Sequence, residues 1–105
     1  MNPDQLRGNL DLILLSVLER DALYGFRIIQ EVKARSDGYF DFKEGSLYPA
    51  LHRLTVEGLL TTEEREVGRN GKPRKYYLLS ARGREALERK RAEWQAFKGA
   101  LDRLA

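Results

Sequence analysis

Three features of this 105-residue chain predict a mainly α fold that carries one β-hairpin. Apolar residues recur at helical spacing toward both ends, serine and glycine stand where helices would start and stop, and two extended runs flank an Asn-Gly pair. The length fits one small domain, able to bury about two-thirds of the surface its unfolded form exposes. With 42% hydrophobic residues, 33% charged residues and three prolines, the composition is that of a folded protein rather than a disordered one. There is no low-complexity segment and no internal repeat.

Leu6, Leu10, Ile13, Leu14, Val17 and Leu18 follow i, i+3, i+4 spacing and predict a first helix over about 3–20. Leu12 and Leu15 widen its apolar arc, as in a helix buried between two layers. Asp21 is a candidate cap for a second helix over about 24–35, which carries Leu23, Phe26, Ile28, Ile29 and Val32 and ends before Ser36-Asp37-Gly38. Ser46 reads as the N-cap of a third helix, with Leu47, Leu51 and Leu54 on one face and Gly58 as the stop. Pro49 supports that start, because in a first turn its missing N–H has no partner to lose, whereas deeper in a helix it costs about 3 kcal/mol. Runs 59–67 and 75–79 then read as a hairpin around Asn70-Gly71.

Ser80 can cap a last helix over about 81–104. Its apolar residues Leu87, Trp94, Phe97, Leu101 and Leu104 step by seven, three, four and three, a narrow seam that calls for a partner helix. The order helix, helix, helix, hairpin, helix is that of a winged helix-turn-helix with a C-terminal dimerisation helix. Residues 1–79 would form the DNA-binding part and residues 80–105 the dimerisation helix, within one structural unit. The expected seam between copies comprises Leu10, Leu14, Leu87, Trp94, Phe97, Leu101 and Leu104.

What is missing narrows the function. Without cysteine there are no disulfides, thiolate nucleophiles or Cys-based zinc sites, and His52 alone cannot supply a multi-His metal site. No nucleophile with an orienting base is present, so neither an enzyme nor a cofactor-dependent protein is expected, and no metal site. The apolar stretch Leu12–Leu15 is far shorter than a membrane span, and the N-terminus lacks a basic start followed by an apolar run. A cytoplasmic protein, at the nucleoid when bound to DNA, is the expectation.

Charge placement points to nucleic acid. Residues 1–42 hold 5 basic and 7 acidic groups, residues 43–79 hold 7 and 5, and residues 80–105 hold 7 and 4. Arg69, Lys72, Arg74 and Lys75 occur together without one acid, and with Asn70 they make a basic wing able to reach a phosphate backbone. On the third helix, Ser46, Tyr48, Pro49, His52 and Arg53 would face outward, opposite the leucines. Arg53 could grip a guanine edge or a phosphate, while His52 and Ser46 could donate to either. Tyr24 and Tyr48 also suit packing with their hydroxyls at the surface, and Gly25 close helix packing. Glu63, Glu64 and Glu66 do not form a catalytic cluster: strand alternation puts Glu63 on the opposite face from the other two, and they read as solvated.

The chain also resembles a known family. Leu23-Tyr24-Gly25-Phe26 with Ile29, the run Gly45-Ser46-Leu47-Tyr48-Pro49-Ala50-Leu51-His52-Arg53-Leu54, then Glu57-Gly58-Leu59-Leu60, and Gly71-Lys72-Pro73-Arg74-Lys75-Tyr76-Tyr77-Leu78-Leu79 with Gly83 look like the PadR family of transcriptional regulators. The resemblance spans about residues 6–88, and in this order and spacing the set is highly specific. It implies a winged-helix homodimer, usually a repressor, joined through its C-terminal helix; some members sense phenolic acids, drugs or other small molecules. The single short C-terminal helix resembles the compact branch of the family.

Two further expectations concern partners. Trp94 could meet its symmetry mate and, with Phe97, Leu14 and Leu18, line a flat pocket for a small aromatic effector, although a plain dimer core would use the same residues. The rival to a sequence-specific DNA-binding regulator is a winged-helix adaptor that binds a protein partner, and the basic wing argues against it.

Overall fold

The computed structural model describes residues 3–66 and 71–105, with side chains from Asn9 onward. Four helices and three short strands follow in the order α1 (Pro3–Val17), β1 (Leu23–Tyr24), α2 (Gly25–Arg35), α3 (Glu44–Val56), β2 (Leu60–Glu66), β3 (Pro73–Leu79) and α4 (Ala81–Leu104). One core unites them. Leu14, Leu15 and Leu18 from the first segment meet Ile28 and Val32 of α2, Leu47, Leu51 and Leu54 of α3, Leu60 and Tyr77 of the sheet, and Ala86 and Leu87 of α4. On α3 the three leucines that periodicity assigned to the inner face are fully buried; in the first segment Leu14 and Leu18 are buried as assigned, Leu10 only partly, and Leu15 joins them from the edge of the arc.

Three local expectations are corrected. α1 ends at Val17 rather than near Arg20, because the chain tightens there: the Glu19 N–H reaches the Ser16 carbonyl three residues back. Asp21 does not cap α2. Leu23 and Tyr24 are extended and pair with Tyr77 and Tyr76 of β3, so the helix cannot start before Gly25, and Tyr24 stands at its N-cap without a side-chain cap bond. That two-residue strand makes the sheet three-stranded, with β3 in the middle and β2 at one edge.

The third correction concerns α3. Its first turn closes on the Lys43 carbonyl, which accepts from the Ser46 and Leu47 N–H groups, so Ser46 lies inside the helix and Pro49 deeper still. Pro49 removes one donor, the one that would have served the Gly45 carbonyl. Gly45 is exposed and has open space around it, so water can take that carbonyl and the loss stays local.

The other end of α3 forms as expected. Gly58 adopts φ 79°, the left-handed conformation that suits glycine, and its N–H reaches Thr55 O at 3.0 Å while the Leu59 N–H reaches Leu54 O at 2.9 Å. Ser80 is also the cap foreseen: its hydroxyl accepts from the Gly83 N–H at 2.9 Å and donates to the Gly58 carbonyl at 2.6 Å. The start of α4 is thereby tied to the end of α3. Gly83 completes the tie, since a Cβ there would lie 2.0 Å from the Leu59 carbonyl oxygen. α4 then continues to Leu104, in a molecule whose extents are 55 × 29 × 24 Å.

Candidate nucleic-acid interface

The outer face of α3 lies opposite an inner face that is buried in the core, and the hairpin is exposed over 61–66 and 71–75. With Leu47, Ala50, Leu51 and Leu54 buried, helical geometry turns Ser46, Tyr48, Pro49 and His52 outward, and all four are exposed. Tyr48 does double duty. Its ring lies against Gly25, where a Cβ would come 2.4 Å from the phenolic oxygen, so the close approach expected at Gly25 is to this side chain.

Arg53 behaves differently from expectation. Instead of standing free for a base or phosphate, its guanidinium turns back onto α1 and forks onto Asp11, one nitrogen bonding each carboxylate oxygen, with Glu57 at 3.3 Å completing the contact. The reason is burial: Asp11 is only 6% exposed and would otherwise be a charge without a partner. The bond that Arg53 donates to Asp11 pushes the already high guanidinium pKa further up. Arg53 is therefore a tie between α1 and α3. Asp11 lies 42 positions earlier, and no local sequence signal announces the pair.

In the hairpin, β2 and β3 pair antiparallel from Leu60 opposite Leu79 to Glu66 opposite Pro73. Lys72, Arg74 and Lys75 are exposed; Arg69 and Asn70 lie outside the described residues. The second strand starts at Pro73, earlier than the expected Lys75, so Arg74 and Lys75 are strand residues with fixed facing directions. Arg74 lies over the Tyr24 ring with its guanidinium carbon 4.5 Å from the ring centre, and Arg65 lies over Tyr76 at 4.7 Å. Glu63, Glu64 and Glu66 are exposed, and Glu63 is bonded to Arg65 at 2.6 Å.

The expected dimer seam divides. Leu14 and Leu87 are buried in the protomer's own core and Leu10 is packed against it, so the two fully buried leucines are corrected to core residues. Leu14 belongs to a helix apolar round most of its girth, and α2, α3 and α4 cover that surface; Leu87 belongs to the first part of α4, which packs on α1. Trp94, Phe97, Leu101 and Leu104 are 45%, 59%, 53% and 85% exposed. Trp94 and Phe97 stack with ring centres 5.9 Å apart.

The candidate effector pocket is corrected for the same reason. Leu14 and Leu18 are inside the core and do not join Trp94 and Phe97. A groove of about 580 Å³ lies instead against Leu12, Ile13, Val17, Val32, Phe40 and Arg91. At its rim Arg91 holds Glu19 with two bonds of 2.9 Å, and the bond from Arg91 draws the Glu19 carboxyl below its ordinary pKa. Among the described residues no group of His and carboxylates could hold a metal ion, and no helix is long and apolar enough to cross a membrane.

Known proteins share this arrangement. Protein X of Lysinibacillus sphaericus is 36% identical over 100 residues, covering 94% of this chain and 90% of that one. The transcriptional regulator Rv3488 of Mycobacterium tuberculosis is 33% identical over 81 residues, 77% of this chain and 71% of its own. The crystal structure of a PadR-like transcription factor from Bacteroides fragilis superposes with a TM-score of 0.81 at 30% identity, covering 97% of this chain and 95% of the other. The model of the transcriptional regulator PadR-like family matches residues 14–89, and with these likenesses it places the chain in that family: a DNA-binding transcriptional regulator and not an enzyme.

Proposed function

We propose that the protein is a cytoplasmic, dimeric repressor that reads an inverted-repeat operator. One observation carries the reading: Ser46, Tyr48, Pro49 and His52 stay exposed on the outer face of α3, next to a hairpin whose residues 67–75 contain no acid. Two copies joined along α4, through Trp94, Phe97, Leu101 and Leu104, would present two such surfaces about a two-fold axis. The operator then has matching symmetry, its half-sites about one helical turn or a multiple apart. Residues 1–79 supply DNA contact and residues 80–105 the joint.

Within this reading, Ser46, Tyr48, Pro49 and His52 face base edges and the neighbouring backbone, while Lys72, Arg74 and Lys75, with Arg69 and Asn70, grip phosphates. Arg53 acts indirectly by fixing α3 on α1. The Trp94–Phe97 stack gives a planar aromatic effector a surface against which to insert at the joint between copies. Quenching of Trp94 fluorescence by a planar aromatic compound is the expected sign; unchanged emission across a panel of such compounds removes the effector from the reading.

The main test is fluorescence anisotropy against the duplex upstream of the protein's own coding sequence and a shuffled duplex of equal composition, each at two salt concentrations. Tighter binding to the native duplex at both salts is expected. Lys72→Ala should weaken both duplexes alike and lower the slope of log affinity against log salt by about one. Absence of binding to either duplex would favour a protein-binding adaptor.

A further inference from the structure

Arg65 and Arg74 sit directly opposite one another in the β2–β3 register, an arrangement in which like charges repel. The two guanidinium groups resolve it by diverging. Arg65 bonds Glu63 at 2.6 Å and covers Tyr76, so its charge is matched. Arg74 turns the other way onto Tyr24, and among the described residues it meets no carboxylate. Tyr24 and Tyr76, the rings under the two arginines, meet edge to face at 5.5 Å.

The position of Tyr24 is unusual for its residue type. It is the N-cap of α2, where Ser, Thr, Asp or Asn would bond the free amides of the first turn, and its side chain makes no such bond. The ring supports Arg74 instead. The next residue, Gly25, is where Tyr48 of α3 comes to rest. Adjacent backbone positions thus seat a side chain from the recognition helix and one from the wing.

We propose that the Tyr24-Gly25 pair is the spacer that sets the wing against α3, with Tyr24 a positioning residue that holds Arg74 over its ring to meet a phosphate of double-stranded DNA. The inference rests on the reading above and assigns the anchoring phosphate contact to the stem of the wing rather than its tip. An exposed cation held on an aromatic face gains modestly from it, which sets the expected size of the effect.

The experiment is anisotropy of the full chain with the same native and shuffled duplexes, comparing Arg74→Ala, Tyr24→Phe, Tyr24→Leu and the Tyr24→Leu/Arg74→Ala pair, each shown folded by its melting curve. Arg74→Ala should weaken both duplexes and lower the salt slope by about one. Tyr24→Leu should weaken them about two- to fivefold, the worth of a cation on a ring, while Tyr24→Phe, which keeps the ring face, should bind as the parent does. In the Arg74→Ala background Tyr24→Leu should have no further effect. Equal weakening by Tyr24→Phe and Tyr24→Leu, effects that multiply in the pair, or an unchanged salt slope for Arg74→Ala would each overturn the assignment while leaving the regulator reading in place. Failure of the parent protein to bind any duplex would instead overturn that reading, and this inference with it.

Discussion

The two halves of α4 meet opposite circumstances, and the outer one carries most of the helix's large apolar residues. Up to Arg91 the helix lies on the body of the molecule: Gly83 is pressed on the Leu59 carbonyl, and Ala86 and Leu87 are buried. From Ala92 onward the helix leaves that body, and Trp94, Phe97, Leu101 and Leu104 remain exposed. The same seam spacing therefore serves two ends. Periodicity tells which residues share a face of a helix; what that face meets depends on how far the rest of the chain reaches.

The comparison can be broken most sharply at Leu87. Leu87→Ala should cost about 2–5 kcal/mol, the range for a large-to-small change in a packed core, read as a lower urea midpoint than the parent's at the same protein concentration. Gly83→Ala should follow at about 1–3 kcal/mol, since its Cβ meets backbone that can yield only by shifting α4. The outer half should respond in the other way. The double change Trp94→Glu and Leu101→Glu should alter the stability of a single copy by no more than about 0.5 kcal/mol, yet abolish association in sedimentation and any dependence of melting temperature on concentration. Persistence of a dimer in that variant would move the joint off α4.

The smallest effect belongs to the boundary between the halves, where Arg91 holds Glu19. Both side chains are partly exposed, at 44% and 37%, so Glu19→Gln should cost no more than about 0.2–1 kcal/mol and less at high salt. The sign with pH follows from the lowered carboxyl. Its contribution is complete above the ordinary value near 4.5 and disappears as pH falls through the lower folded value. Acid titration of stability should therefore separate the parent from Glu19→Gln above that window and bring them together below it.

Much of this architecture was legible in the sequence because its signals are local. Helical spacing located α1, α2 and α4, Asn70-Gly71 located the hairpin, and Ser80 and Gly58 marked their helix ends. The errors came where a distant partner overrode a local rule. Pro49 argued for a start at Ser46, but the Lys43 carbonyl closes the turn earlier and an exposed Gly45 carbonyl tolerates the missing donor. A strand of two residues is too short to show alternation, so β1 was invisible until paired with Tyr76 and Tyr77. Arg53 looked like a reader of bases because nothing nearby in sequence reveals Asp11 as its partner. Leu14 and Leu87 carried the apolar spacing of a seam, and spacing alone does not separate a seam from a core.

The edge strand β2 has a consequence for how copies of the molecule can meet. Its outer part, Glu63, Glu64, Arg65 and Glu66, is exposed along a border with unpaired backbone groups, the kind of border on which strands of separate molecules add to one another. Carboxylates in three of those four positions make such addition costly, since each added strand would bury charge. The edge beside the wing is thereby blunted against growth into a cross-β polymer.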